Sequence, residues 1–211
     1  MGKTRAVAWS LDVRASSLTA ARELFAARGY DGTSLQDVAR VVGVSKQAVL
    51  HHFDSKDALR RAVLDELLQH WGAALPKLLL GTTGGFERFR TLFGELVRFF
   101  TDEPSWSRFV VRELLDRPAA TQRVLREVVQ PWIDGIAAYL REGQRSGVLR
   151  DDVDAEAWVL EMIQLALFAA AAHPVLAGAM SAHGERRLAT ELTRIARVSL
   201  FKDRPAKGTR R

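Results

Sequence analysis

The stretch SLQDVARVVGVSKQAVLHHF, residues 34–53, holds two short helical patterns with only Gly43 and Val44 to turn between them. Val38, Ala39 and Val42 share an inward face in the first pattern, and Val49 and Phe53, at i and i+4, share one in the second. Two helices this short joined by so tight a turn form a helix-turn-helix, whose second helix offers its amino-terminal residues to the major groove of DNA. That arrangement turns Ser45, Lys46, Gln47, Ala48 and His51 outward. Lysine and glutamine carry donors and acceptors that match guanine and adenine edges, and Ala48 is small enough to admit the backbone or touch a thymine methyl. Lys56, opening the next helix, would meet a phosphate together with free backbone amides.

The neighbouring elements are helical too. Leu18, Ala21, Leu24 and Phe25 recur at three- and four-residue steps in a helix predicted from Asp12 to Arg28 and stopped by Gly29. A second helix starts at Thr33 or Ser34, Thr33 and Gln36 having the capping-box spacing. Ser45 caps the third helix, and Ser55 the fourth, which has Asp57 in its first turn. Beyond these come a long helix over 58–80 bent near Pro76, a GTTGG connector, and helices over 86–101, 106–115, 121–146 (with Pro131 inside), 155–172 and 185–201. Strand-like alternation is missing, so the expected fold is all-α.

Composition narrows the function. The chain has no cysteine, which removes disulfides and thiolate chemistry and fits a reducing compartment, and the expected location is the cytoplasm. The amino-terminal apolar run is cut by Ser10, Asp12 and Arg14, too early for a signal sequence. The longest apolar run, 162–172, falls short of the ~18 residues of a membrane helix, so no membrane partner is expected. Net charge is +6: residues 1–60 carry 9 basic against 6 acidic side chains, residues 202–211 carry 5 against 1, and the middle is near neutral. A polyanion would therefore meet the first sixty residues. Adjacent His51 and His52 point to different sides of a helix, and no HExxH pattern occurs, so neither a metal nor another cofactor is expected. A GxSxG turn and motif-spaced carboxylates with histidine are also missing, which argues against an enzyme.

The stretch LTAARELFAARGYDGTSLQDVARVVGVSKQAVLHHFDSKDAL, within residues 14–64, resembles the amino-terminal domain of the TetR family of bacterial transcription regulators. The resemblance implies a three-helix DNA-binding domain over residues 1–57 with a basic amino-terminal arm, and a helical bundle for ligand binding and dimerisation over 58–201. A basic tail, 202–211, follows. Thr33, Ser34, Ser45, Lys46, Gln47, Ala48, Leu50, His51, His52 and Lys56 are then the expected DNA-binding set. Two positions depart from the family pattern: Leu50 replaces a phosphate-binding tyrosine and Ser17 a customary aliphatic residue. His51, His52 and Lys56 would take up the lost load, or Leu50 would pack on sugar or a thymine methyl.

The family's small-molecule pocket lies among the central helices, which makes Phe93, Trp106, Phe109, Trp132 and Tyr139 candidate lining residues and Arg108 or Gln164 candidate anchors for an apolar or aromatic effector. Leu160, Ile163, Leu167, Ala170 and Ala171 form one stripe and Leu188, Leu192, Ile195 and Ser199 another; either stripe would also serve as internal core, and the resemblance favours a homodimer built from two helices per subunit. The expected function is a repressor released from a palindromic operator by its ligand. A DNA-binding protein without a small-molecule inducer, architectural or governed by a protein partner, is the alternative.

Overall fold

Residues 2–80, 85–179 and 184–202 are described by the computed structural model. The GTTG part of the connector and tail residues 203–211 lie outside them, as do the side chains of residues 1–11. Among the described residues the elements are α1 (Gly2–Arg28), α2 (Leu35–Val42), α3 (Lys46–Leu50), α4 (Lys56–Leu79), α5 (Gly85–Asp102), α6 (Pro104–Asp116), α7 (Pro118–Val124), a π-helical turn (Leu125–Val129), α8 (Gln130–Arg145), α9 (Ala155–Gly178) and α10 (Gly184–Leu200). An isolated bridge between Leu149 and Phe201 interrupts an otherwise helical structure, so the fold is all-α.

Three boundaries correct the sequence expectation. Helix α1 begins at Gly2, not Asp12, because no glycine or proline interrupts residues 3–28. The capping box at α2 sits one residue later than expected: Ser34 Oγ accepts from Asp37 N at 3.1 Å and Asp37 Oδ2 accepts from Ser34 N at 3.0 Å. Thr33 instead donates its buried hydroxyl to Gly29 O at 2.9 Å. The single helix expected over 121–146 is interrupted by the π-helical turn, where Gln130 N bonds Leu125 O. Pro131 follows directly, and its ring cannot fit the regular ladder, so the wider turn accommodates it.

The chain forms two units, residues 1–74 with 103–121, and residues 75–102 with 122–211. In the first, α1 packs against α6, α2 and α3. Phe25 and Phe109 meet at 6.3 Å between ring centroids, and Phe109 and Trp106 at 6.5 Å. Arg22 lies 4.4 Å from the Trp106 ring and pairs with Glu103 at 2.6 Å. Arg112 donates to Ala26 O and Ala27 O at 3.1 and 3.2 Å, satisfying carbonyls that the end of α1 leaves unpaired. Ser17, where the family pattern has an aliphatic residue, is fully buried and its hydroxyl has no partner.

The second unit surrounds α9 with α5, α8 and α10. Its core runs through Phe89, Phe93, Ile133, Ala137, Met162 and Ala196. Trp158 Nε1 donates to Ser199 Oγ at 2.9 Å and ties α9 to α10. Gln144 Nε2 donates to Arg150 O and Val153 O, pinning the loop before α9, which Asp154 caps. The window 155–172 of α9, with mean hydropathy 1.4, is long and apolar enough to cross a membrane by length and composition, and 33% of it is buried within the protein.

Arg60 and Glu113 form an ion pair inside the first unit, 6% exposed each, and Arg60 Nε also donates to Asp57 Oδ1. Burial pushes the Glu113 carboxyl above its ordinary value, while the Arg60 charge pulls it back. Glu113→Ala leaves a guanidinium buried with half its partners, and the expected loss is about 3 kcal/mol in urea unfolding. Replacing both residues with apolar ones of similar volume is expected to restore most of that stability.

Candidate nucleic-acid interface

A five-residue helix has too few internal hydrogen bonds to hold itself together, so α3 depends on what anchors it. Val49 is completely buried and Phe53 is 4% exposed, and these two fix the helix to the core. Its start is fixed by Ser45, whose Oγ accepts from Ala48 N at 3.2 Å. Gly43 takes φ 78°, a conformation side-chain-bearing residues seldom adopt, and donates its N–H to Ala39 O at 3.0 Å to close α2. Val44 N bonds the same carbonyl, which makes the turn between α2 and α3 tight.

With the inner face fixed, Ser45, Lys46, Gln47 and His51 are exposed, and Ala48, Leu50 and His52 are half-buried. Beside them lies a cleft of about 420 Å³ bordered by residues 31–37, Lys46 and Lys56. Of the ten expected residues, Thr33 does not reach this surface, being 2% exposed with its hydroxyl turned to Gly29. Ser34 is exposed, with its oxygen engaged by Asp37. The Lys56 ammonium, expected to meet a phosphate, donates to Tyr30 O at 3.0 Å and lies 4.0 Å from the Tyr30 ring centroid.

Electrostatics separate the paired histidines and mark the cap. The His52 ring meets His51 edge-on at 5.2 Å. Burial, then the charges of His51 and Arg14, hold His52 below the usual imidazole range. The Ser34 hydrogen bonds hold Asp37 below the usual carboxylate range, so the cap carries a negative charge at the start of α2. Sequence reasoning missed Arg14, Tyr30 and Arg117. Tyr30 and Arg117 lie far from α3 in the chain; the signal for Asp37, a carboxylate three residues after Ser34, was available.

The other expected residues fall in both units. Trp106 and Phe109 are core of the first unit, 4% and 1% exposed, with Arg108 half-buried beside them on α6. Phe93 is core of the second unit, stacked on Phe89 at 5.6 Å. Trp132 and Tyr139 are half-buried and Gln164 is exposed, so Gln164 is not a buried anchor. In the interface stripes Leu167 and Ala170 of α9 are buried, and Leu192 of α10 belongs to the second unit's own core. Ile163, Ala171 and Leu188 are half-buried, while Leu160 and Ile195 are exposed together with Leu165, Phe168, Leu176 and Val198, which the stripes omitted.

Residues 18–63 match the profile described as bacterial regulatory proteins, tetR family, and residues 86–191 match that of the tetracyclin repressor-like C-terminal domain. The chain belongs to the TetR family. It is 31% identical over 134 residues to the HTH-type transcriptional regulator RutR of Escherichia coli, a match covering 63% of this chain and 62% of RutR, just under two thirds of that relative's length. It is 29% identical over 149 residues to the HTH-type transcriptional repressor Rv1474c of Mycobacterium tuberculosis, covering 67% and 76%. Among solved TetR-like structures, the ketosteroid transcriptional regulator KstR2 of Mycobacterium tuberculosis shares the fold at a TM-score of 0.71 with 17% identity, over 90% of this chain and 95% of that one. The TetR-family relatives named here are transcription regulators and not enzymes.

His52 is expected to make the stability of the helix-turn-helix depend on pH. Its folded-state pKa lies below the ~6.5 of a free imidazole, so the unfolded chain binds the proton more readily and stability falls as pH drops through that window. Stability is then fully present above about pH 6.5. In His52→Gln the slope of thermal midpoint against pH between about 5 and 7 is expected to flatten, as differential scanning fluorimetry reads it.

Proposed function

We propose that the protein is a sequence-specific DNA-binding transcription regulator, a homodimeric repressor released from a palindromic operator by a small apolar or aromatic ligand. The observation that carries the reading is α3: its apolar side is locked into the core while Ser45, Lys46, Gln47 and His51 stand in solvent. Lys46 and Gln47 are suited to guanine and adenine edges. Ala48 and Leu50 offer small and apolar contacts beside them, and Ser34, His51, His52 and Lys56 serve the phosphates. In this reading residues 1–57 are the DNA-binding part, residues 58–201 hold ligand and partner, and residues 202–211 are a basic tail outside both.

A second copy of the chain is the partner that suits the outer face of α9 and α10. Phe168 is 63% exposed and Val175 78%, and Leu160, Leu165, Ile195 and Val198 of the same two helices are exposed too, apolar surface of the kind that marks an interaction site. A two-fold dimer would set two copies of α3 roughly 34–36 Å apart, hence the palindrome. Phe93, Trp132 and Tyr139 remain the candidate ligand contacts, and a ligand would shift the DNA-binding equilibrium by its differential affinity for two conformations. Such a regulator works in the cytoplasm, where bacterial DNA lies.

Two variants test this. Lys46→Ala with Gln47→Ala, both exposed, is expected to keep its thermal midpoint and lose a preference of ~10³-fold for operator over scrambled DNA in fluorescence anisotropy. Retained preference would remove α3 as the reader. Phe168→Glu places a charge on the α9 face; sedimentation is expected to show a monomer with operator affinity down at least ~100-fold, since half-sites then bind singly.

A further inference from the structure

Lys56 opens α4, and one residue holds its ammonium at two points. Its Nζ donates to the Tyr30 carbonyl at 3.0 Å and sits 4.0 Å from the centroid of the Tyr30 ring. A lysine side chain otherwise samples many rotamers, and ordering it on binding costs affinity. Here the ordering is already done. An ammonium has three donors, so with one on the Tyr30 carbonyl and one facing its ring, one is left for an outside acceptor.

The holder is itself fixed. The Tyr30 ring stacks on Phe25 at 5.9 Å, and Phe25 is 2% exposed. The guanidinium of Arg117, at the end of α6, lies 4.4 Å from the same ring and reaches Asp57 Oδ1 at 3.5 Å. The Tyr30 carbonyl also accepts from Thr33 N at 3.2 Å, closing the turn that begins at Gly29, φ 73°. Lys56 borders the 420 Å³ cleft that Lys46 and the first turn of α2 also border. The same cleft is also bordered by Asp31 and Asp37, so a phosphate is held at its lysine side, where it would meet two ammonium groups, one of them immobilised.

We propose that Tyr30 is a positioning residue for DNA binding: its ring and carbonyl preset the Lys56 ammonium at the cleft beside α3, where it meets a backbone phosphate. The inference rests on the DNA-binding reading of α3. A phosphate contact carries no base information, so Tyr30 contributes to affinity and its salt dependence and leaves base preference alone. Its effect runs through Lys56, so removing both residues does no more than removing one.

The test uses the full chain, a duplex that it selects from random-sequence DNA, and a scrambled duplex, with affinity measured across a salt series. Lys56→Gln is expected to lower the slope of log affinity against log salt by about 0.9, one phosphate contact. Tyr30→Leu, which removes the ring and leaves the backbone carbonyl, is expected to lower it by the same amount, the double variant no further, and Tyr30→Phe, which keeps the ring, to hold the wild-type slope. The ratio of selected to scrambled affinity stays constant through the series. A wild-type slope in Tyr30→Leu beside a lowered one in Lys56→Gln overturns the proposal, as do additive losses in the double variant.

A measurement on the unmutated protein covers the case in which Tyr30→Leu does not fold. The ε-methylene protons of Lys56 are expected upfield of those of solvated lysines in the NMR spectrum of the free protein, shifted by the Tyr30 ring, and an unshifted signal overturns the proposal. Absence of any selected sequence removes the DNA reading of α3, and the role of Tyr30 in it, while the ring shift still reports whether the hold on Lys56 exists.

Discussion

Five residues cannot sustain a helix in water, and most of what is inferred for this chain depends on how α3 is sustained regardless. Nucleation costs more than one or two hydrogen bonds return, so Val49 and Phe53 must be buried for the helix to exist. Burial of one face decides the orientation of the other. Lys46 and Gln47 point outward because Val49 cannot, and the tight closure at Gly43 sets the angle at which they do so. A surface assembled this way is rigid at its base and, in the DNA-binding role proposed for it, needs no ordering of backbone.

Charge organises the rest of the first unit. Asp57 receives Arg60, Arg61 and Arg117, and Glu113 receives Arg60 in the interior. Burial raises the cost of the Asp57 charge, but three guanidiniums outweigh it and hold the carboxyl below its usual range. The first turn of α4 and the last turn of α6 are thereby joined through one carboxylate. Arg112 adds a second bond of the same kind, from α6 to the last carbonyls of α1. These contacts are polar and directional, so a small change at the end of α6 alters partners and not merely packing.

The helix-turn-helix was legible because its signals are local: Gly43, Ser45 and the i, i+4 pair Val49 and Phe53 lie within eleven residues. Helix type and order were legible throughout for the same reason. The capping register at α2 was off by one because Thr33 and Ser34 both satisfy the spacing rule, and only the buried bond from Thr33 to Gly29 decides between them. The aromatic residues of α6 were misplaced for a deeper reason. Trp106 and Phe109 look like any apolar helix face, and nothing in their spacing says that Phe109 packs against Phe25 and Trp106 against Arg22, some eighty residues earlier. In α9 nearly every position is apolar, so periodicity could not separate the inner Leu167 and Ala170 from the outer Phe168. The hold of Tyr30 on Lys56 joins residues 26 apart and has no sequence signature.

The central claim is that α3 reads the major groove, once per subunit, with its amino-terminal residues. Dimethyl sulfate protection tests it most directly, because the reagent attacks guanine N7 in the major groove and adenine N3 in the minor groove. On a duplex selected by the full chain, the account predicts two patches of protected guanines related by a dyad, their centres one helical turn apart or slightly more, with adenine N3 still reactive between them. Protection confined to adenine N3, or a single patch without a dyad, would contradict it.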